Sequence, residues 1–271
     1  MAMGIALVTG GTSGIGAEFA RQLAARGHDL VLVARDTSRL DAMAEELRAT
    51  GRSVEIIVAD LAQPKDTSRV AKRLADERQP IDYLINNAGF RVTSKLAAPD
   101  VEEHDRALDV MVRAVLVLAG AVAPVMRARG AGAIVNVASI NGQLTLSGYS
   151  AIKAWVRVYS ESLSNELRGT GVTVTALMPG WVKTEFHQRA AVSSTSAPKG
   201  SGRGGIPNFL WLEPEHLVRE CLRDVDKQRV ISIPTIRYKL LSGLLKHLPD
   251  STVRAVSRRI SLSRSSATTA E

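Results

Sequence analysis

The chain is poor in several residue types, and each scarcity closes off a class of function. It has one cysteine, Cys221, among 271 residues. A lone thiol forms no intramolecular disulfide and no thiolate metal cluster, which fits a reducing compartment. The five histidines, His104 and His187 among them, show no metal-ligand spacing, so no metal site is expected. Aromatics are only 4%, leaving a core to be built from Ala, Val, Leu and Ile. No Ser sits on a nucleophile elbow, which argues against a hydrolase triad. The longest mostly apolar stretch, 114–126, falls short of the roughly 20 residues a bilayer-spanning helix needs, and it reads as a buried helix. The first residues run straight into an apolar strand and a glycine loop, without the basic-then-apolar layout of a signal peptide. The expected location is cytoplasmic.

Acid is scarce relative to base. Lys and Arg number 35 against 27 Asp and Glu, a formal net charge of +8. From Arg237 onward seven basic residues face two acids, which accounts for +5 of it. Aromatic and basic residues are not interleaved as in RNA-binding surfaces, so nucleic acid is not an expected partner. The stretch from Tyr238 to Leu248 is apolar with basic flanks, followed by Arg254, Arg258 and Arg259. Two readings apply to this basic helical tail, near 236–262. It packs on the protein or across a dimer interface, which is preferred, or it makes weak contact with an anionic membrane surface.

What is present in quantity is alternation. Hydrophobic residues make up 45% and charged residues 23%, enough for a sizeable core. Short apolar runs at 4–9, 30–34, 54–59, 81–86, 133–138 and 172–178 read as strands. Between them, stretches at 14–26, 39–49, 70–77 and 149–168 carry apolar residues at helical spacing. Asp100 and Glu103 are set as an N-cap and its N3 acid for a long helix ending near Arg129. This rhythm predicts an α/β fold, a single-domain doubly wound parallel sheet with helices on both faces, covering residues 1–271. The Ser-, Gly- and Pro-rich stretch 190–207 breaks the rhythm. It is expected to form part of a substrate-covering loop near 185–212, after which helix and strand resume at 215–226 and 230–233. Residues 263–271 are expected to fray.

Gly10, Gly14 and Gly16, with Thr12, Ser13 and Ile15 between them, follow the first strand and open the first helix. Glycines let a pyrophosphate approach the backbone, and the helix start offers N–H groups and partial positive charge. That context predicts a dinucleotide site. The spacing resembles the TGxxxGxG loop of the short-chain dehydrogenase/reductase family, and further motifs follow in order. They are Asp60-Leu61 after the third strand, Asn86-Asn87-Ala88-Gly89 after the fourth, Ser139 after the fifth, Tyr149 to Lys153 as YxxxK, and Pro179-Gly180 after the sixth. The likeness is strong over residues 4–190 and loose beyond.

The resemblance implies an NADP(H)-dependent ketoreductase, with adenine near Asp60 and Leu61 and the nicotinamide end near Asn87, Ala88, Gly89, Pro179, Gly180, Val182 and Thr184. The family's usual strand-end acid is replaced by Ala34, and Arg35 follows. A guanidinium there can pair with a 2′-phosphate, favouring NADP(H), with Arg39 close by. Arg35 paired with Asp36 on the surface is the plainer alternative. Tyr149 and Lys153 stand four apart on one predicted helix and so share a face. By spacing alone that is an ordinary surface pair; the nucleotide loop and Ser139 make it catalytic. An ammonium beside a phenol favours phenolate, and the phenol then serves as general acid/base. By resemblance Lys153 also holds the nicotinamide ribose, and Ser139 hydrogen-bonds the substrate oxygen.

One departure stands out. Met111 occupies the position where the family commonly has an Asn that relays protons, and methionine donates no hydrogen bond. Core packing is its plain reading. The alternative function, a catalytically impaired NADP(H)-binding regulatory or scaffold protein, rests on it alone. Trp181, Phe186 and Phe209 are expected to line the substrate pocket, for a lipophilic ketone or 3-oxoacyl substrate. The resemblance also implies a homodimer or homotetramer formed through two long helices.

Overall fold

A computed structural model describes residues 4–183, 210–249, 251–255 and 257–258. Seven parallel strands form the central sheet. In chain order they include β1 (Ile5–Thr9), β2 (Asp29–Ala34), β3 (Val54–Val58), β4 (Ile81–Asn86), β5 (Gly132–Val137) and β6 (Val172–Leu177). A two-residue ribbon follows, β7 (Trp181–Val182) beside β8 (Trp211–Leu212), and β9 (Ile231–Ser232) closes the sheet. The spatial order is β3-β2-β1-β4-β5-β6-β9. The expected doubly wound α/β architecture is therefore present. The order reverses between β1 and β4, and at such a switch point a crevice opens beyond the carboxyl ends of the strands.

The helices are α1 (Gly14–Ala25), α2 (Thr37–Arg48), α3 (Pro64–Leu74), α4 (Glu102–Leu108), α5 (Ala114–Arg129), α6 (Gly148–Glu166), α7 (Pro214–Asp226) and α8 (Ile236–His247). Strand β1 shows why the strands read as unbroken apolar runs. Ala6 and Val8 enter one core cluster with Phe19 and Leu23 of α1. Leu7 enters the other, with Leu118 and Val122 of α5. Both faces of the sheet are covered, so alternation is lost.

Three local expectations need correction. Helix α3 covers the expected helical stretch 70–77 only as far as Leu74, and it begins upstream at Pro64, which supplies a preset first helical turn with Asp66 as its acid. Asp100 and Glu103 do not form a capping box. The α4 cap is Val101, the Asp100 carboxylate accepts from Glu102 N–H at 2.9 Å, and Glu103 instead accepts from Thr93 N–H at 3.0 Å and Ser94 N–H at 2.6 Å. The long helix is also not uniform: residues Asp109–Arg113 form a π turn joining α4 to α5. The whole run Glu102–Arg129 is 28 residues, long enough by length and composition to cross a bilayer, yet one face of it packs into the core.

The basic tail packs on the protein along one edge. Tyr238 is 2% exposed and Ser242 is buried, whereas Ile236, Leu240 and Leu244 face outward. Thr184, Phe186, Phe209 and most of the expected loop near 185–212 lie outside the described residues, as does 259–271.

Candidate active site

The crevice at the switch point is a cleft of 1130 Å³, lined by the ends of β1 to β6. Its phosphate end begins with the turn after β1. Ser13 caps α1 in extended backbone, and no acid stands in the first helical turn, so the helix's positive end is not neutralised from within. Gly16 is forced by packing: a Cβ there would lie 2.2 Å from the Gly10 carbonyl oxygen and 2.4 Å from Asn87 Nδ2. Two residues hold this turn. Thr9 Oγ1 accepts from the backbone N–H groups of Asn87 at 2.9 Å and Ala88 at 3.0 Å. Asn87 Nδ2 donates to the carbonyls of Thr9 at 3.0 Å and Gly10 at 3.2 Å. The Asn87 amide therefore acts on the loop itself as well as lining the cleft. Thr9 opens the TGxxxGxG pattern in the sequence, and the structure adds its role of tying the turn to the end of β4.

Arg35 and Arg39 line the next part of the cleft, with Ala34 beside them at the end of β2. Asp36 is committed elsewhere, accepting from Arg39 N–H at 3.1 Å as the cap of α2 and from Ser38 Oγ at 2.7 Å. Asp60 and Leu61 close this end. Burial pushes the Asp60 carboxyl up, but Arg106 and the Ala62 N–H outweigh it and hold the group below the usual carboxylate range. Arg106 Nη2 reaches both Asp60 oxygens, at 3.1 and 2.8 Å. Arg106 also lines the cleft and was not foreseen, because nothing in sequence ties α4 to the end of β3.

At the other end the catalytic candidates converge. Ser139 caps a 3₁₀ turn, Ile140–Gln143, its Oγ accepting from Asn141 N–H at 3.1 Å and donating to the Pro179 carbonyl at 3.4 Å. Tyr149 sits in the first turn of α6. Burial pushes its phenol up, and a hydrogen bond with Ser139 works the other way. Lys153, one turn on, is 5% exposed and its Nζ lies 5.6 Å from the Tyr149 ring centre. Nζ donates to the Val137 carbonyl at 2.7 Å, and burial lowers its pKa to about 8. Pro179, Gly180, Trp181 and Val182 form the facing wall. Met111 is buried in the π turn with its sulfur against Gly89, and it packs in the core.

A nucleotide-sized cleft thus joins a glycine turn at a helix start to a half-buried Tyr and a buried Lys and Ser. Residues 4–193 match the model of the short chain dehydrogenase family. The chain belongs to that family. An uncharacterized oxidoreductase of Staphylococcus saprophyticus is 36% identical over 184 residues, 66% of this chain and 79% of that one. A short-chain dehydrogenase from Sphingobium yanoikuyae, solved in complex with NADPH, is 35% identical, with a TM-score of 0.76 over 92% of this chain and 97% of its own. A bulky-bulky ketone specific alcohol dehydrogenase from Comamonas testosteroni is 32% identical, with a TM-score of 0.74 over 92% of this chain and 96% of its own. This member of the family is an oxidoreductase acting on alcohols or ketones.

Proposed function

We propose that the protein is an NADP(H)-dependent oxidoreductase interconverting a lipophilic ketone, or a 3-oxoacyl group, and its secondary alcohol. The convergence of Ser139, Tyr149 and Lys153 at one end of the nucleotide-sized cleft carries this reading. The residues fit the cofactor. The turn from Gly10 through Thr12, Ser13, Gly14, Ile15 and Gly16 is kept free of side-chain bulk at Gly16 and suits a pyrophosphate. Arg35, with its neighbouring acid occupied as a helix cap, suits a 2′-phosphate. Asp60 and Leu61 would hold adenine, and Asn87, Ala88, Gly89, Lys153, Pro179, Gly180 and Val182 would hold the nicotinamide half, with Thr184 beyond them. When bound, the reduced nicotinamide supplies the hydride.

The protein's own residues manage the proton. With its pKa raised by burial, Tyr149 is neutral at physiological pH and its Oη carries the proton that a reduced carbonyl oxygen needs. The Lys153 ammonium nearby favours the phenolate left behind. Ser139 Oγ, which accepts from the Asn141 N–H, turns its single proton from the Pro179 carbonyl to the substrate oxygen beside Tyr149. Trp181 offers an apolar surface on the facing wall; Phe186 and Phe209, expected from the sequence to join it, lie outside the described residues. The ketone-specific relative supports a bulky substrate.

Measuring NADPH oxidation against a panel of bulky ketones and 3-oxoacyl thioesters, with NADH as control, tests the reading. Turnover with NADPH that Tyr149→Phe abolishes is expected; failure to bind either nucleotide would sink it. Met111, an apolar residue in the π turn, favours a second reading as a non-turning-over nucleotide sensor. NADPH binding without turnover, together with activity gained in Met111→Asn, would favour that one.

The remaining assignments follow from the surface. Leu108 and Leu116 of the long helix and Val158 of α6 are exposed, which supports a homodimer or homotetramer through these helices, checked by light scattering. The protein is assigned to the cytoplasm. Exposed Ile236, Leu240 and Leu244 beside Arg237 and Lys239 support weak contact with an anionic membrane. Equal flotation of wild type and Leu240→Glu/Leu244→Glu with anionic vesicles would remove that contact.

A further inference from the structure

Helix α8 reaches the catalytic wall from the far end of the chain. Its Tyr238 ring lies directly beneath Gly180, where a Cβ would come within 2.0 Å of Tyr238 Cζ. The phenol is a two-way tie. It accepts from the Trp181 N–H at 3.2 Å and donates to the Leu210 carbonyl at 2.6 Å. Trp181 and Leu210 belong to the stretches that carry β7 and β8, and these two strands pair Trp181 with Trp211 and Val182 with Leu212. One side chain therefore fixes both strands of the ribbon.

The segment that Tyr238 holds is the one that holds Ser139. The Pro179 carbonyl, one residue before Gly180, accepts from Ser139 Oγ at 3.4 Å and from the Ile140 N–H at 3.1 Å. The C-terminal region grips the other side of Ser139 as well. Gln143 Nε2, at the end of the 3₁₀ turn that Ser139 caps, donates to Ser242 Oγ at 2.9 Å. The Thr145 N–H donates to Ser257 Oγ at 3.1 Å. Ser242 and Ser257 are each 1% exposed.

The entry to α8 is costly. Thr235, its cap, has φ 70° and ψ 142°, a conformation that a β-branched residue rarely adopts. The Glu220 carboxylate accepts from the Thr235 N–H at 2.8 Å and pins it there. Such strain persists only where the surroundings over-determine it, and here it aims Tyr238 under Gly180.

We propose that Tyr238 is a positioning residue for the reaction, with Ser242 and Ser257 as its helpers. Together they brace Ser139 from both sides, through Pro179–Trp181 and through the 3₁₀ turn, so that its hydroxyl is preset beside Tyr149. The proposal rests on the reductase reading for its catalytic consequence and on hydrogen bonding alone for its structural one, and the experiment separates the two. Tyr238→Phe keeps the ring beneath Gly180 and removes both hydrogen bonds. Leu74→Ala, in the buried face of α3, in the other core cluster and outside the cleft, serves as a variant that lowers stability away from the brace.

In full-length protein, hydrogen exchange of the Trp181 and Ile140 amides should speed up in Tyr238→Phe and stay unchanged in Leu74→Ala. Ser242→Ala should speed exchange at Gly142 alone. With the best ketone of the panel, kcat/KM should fall roughly tenfold in Tyr238→Phe, the loss of one to two hydrogen bonds' worth of placement, while the Kd for NADPH stays within about twofold. Unchanged exchange at Trp181 and Ile140 would overturn the brace whatever the activity. Faster exchange with unaltered kcat/KM, or an equal kcat/KM loss in Leu74→Ala, would overturn its role in positioning. If the wild type reduces nothing, the reductase reading fails and the exchange data still decide the brace.

Discussion

Lys153 should be more valuable to the reaction than to the fold, and replacing it with methionine should separate the two. Methionine has a similar length and no charge. The lysine is 5% exposed and burial lowers its pKa from 10.5 to about 8. At about 1.4 kcal/mol per tenfold change, that drop corresponds to roughly 3 kcal/mol of destabilisation while the group is charged. Lys153→Met relieves this, but it leaves the Val137 carbonyl without its 2.7 Å donor, worth about 1 kcal/mol. The net expectation at pH 7 is a gain of about 2 kcal/mol, or some 4–8 °C in Tm for a chain of this size. The sign depends on pH. A lysine with a depressed folded pKa penalises the fold fully below about 8, and the penalty disappears as pH rises towards 10.5. The advantage of Lys153→Met should therefore shrink steadily between pH 8 and 10.5. Thermal melts of cofactor-free protein at pH 7, 9 and 10 test this, since bound nucleotide would add its own stabilisation. The same variant should lose about a hundredfold or more in turnover. A variant less stable than wild type at pH 7, or a Tm difference indifferent to pH, would refute the reasoning.

The other predictions concern the cleft. Gly16→Ala places a methyl 2.2 Å from the Gly10 carbonyl oxygen and must displace the turn, so calorimetry should show NADPH affinity down by about a hundredfold or more; unchanged affinity would remove the turn from the phosphate site. Arg35→Asp should reduce the preference for NADPH over NADH by at least about tenfold in kcat/KM, and an unaltered preference would move the 2′-phosphate elsewhere. Arg106→Leu strips Asp60 of the cation that holds its carboxyl low; the Kd for NADPH should rise roughly tenfold, and an unchanged Kd would make the pair purely structural. Finally, kcat/KM for NADPH at saturating ketone reports the free enzyme and should fall as pH rises through about 8, where Lys153 loses its proton.

The sheet, the glycine turn and the Tyr149–Lys153 pair could all be read in one dimension, because each is a local pattern. Strands buried on both faces announce themselves as apolar runs, and residues four apart on a helix share a face whatever surrounds them. The order of the motifs then supplied the cleft, since a doubly wound sheet brings its strand ends together by its winding rule. Three features followed no local rule. Glu103 had the spacing of a capping box, yet its carboxylate took the better offer of two N–H groups from the loop at Thr93 and Ser94. Arg106 meets Asp60 across 46 residues of chain, and Tyr238 meets Trp181 across 57. The tail shows the division most clearly. Its sequence left open a packed helix or a membrane-facing one, because an apolar stretch with basic flanks suits both. The fold settled that one edge is packed, by placing a glycine opposite Tyr238, where any side chain on residue 180 would meet the ring. Sequence by itself determined the strand and helix rhythm and the ordered motifs on which the family resemblance rests, because each is a pattern of residue types at short spacings; tertiary structure alone decided what surrounds and holds those residues, because partners distant in the chain are chosen by three-dimensional proximity.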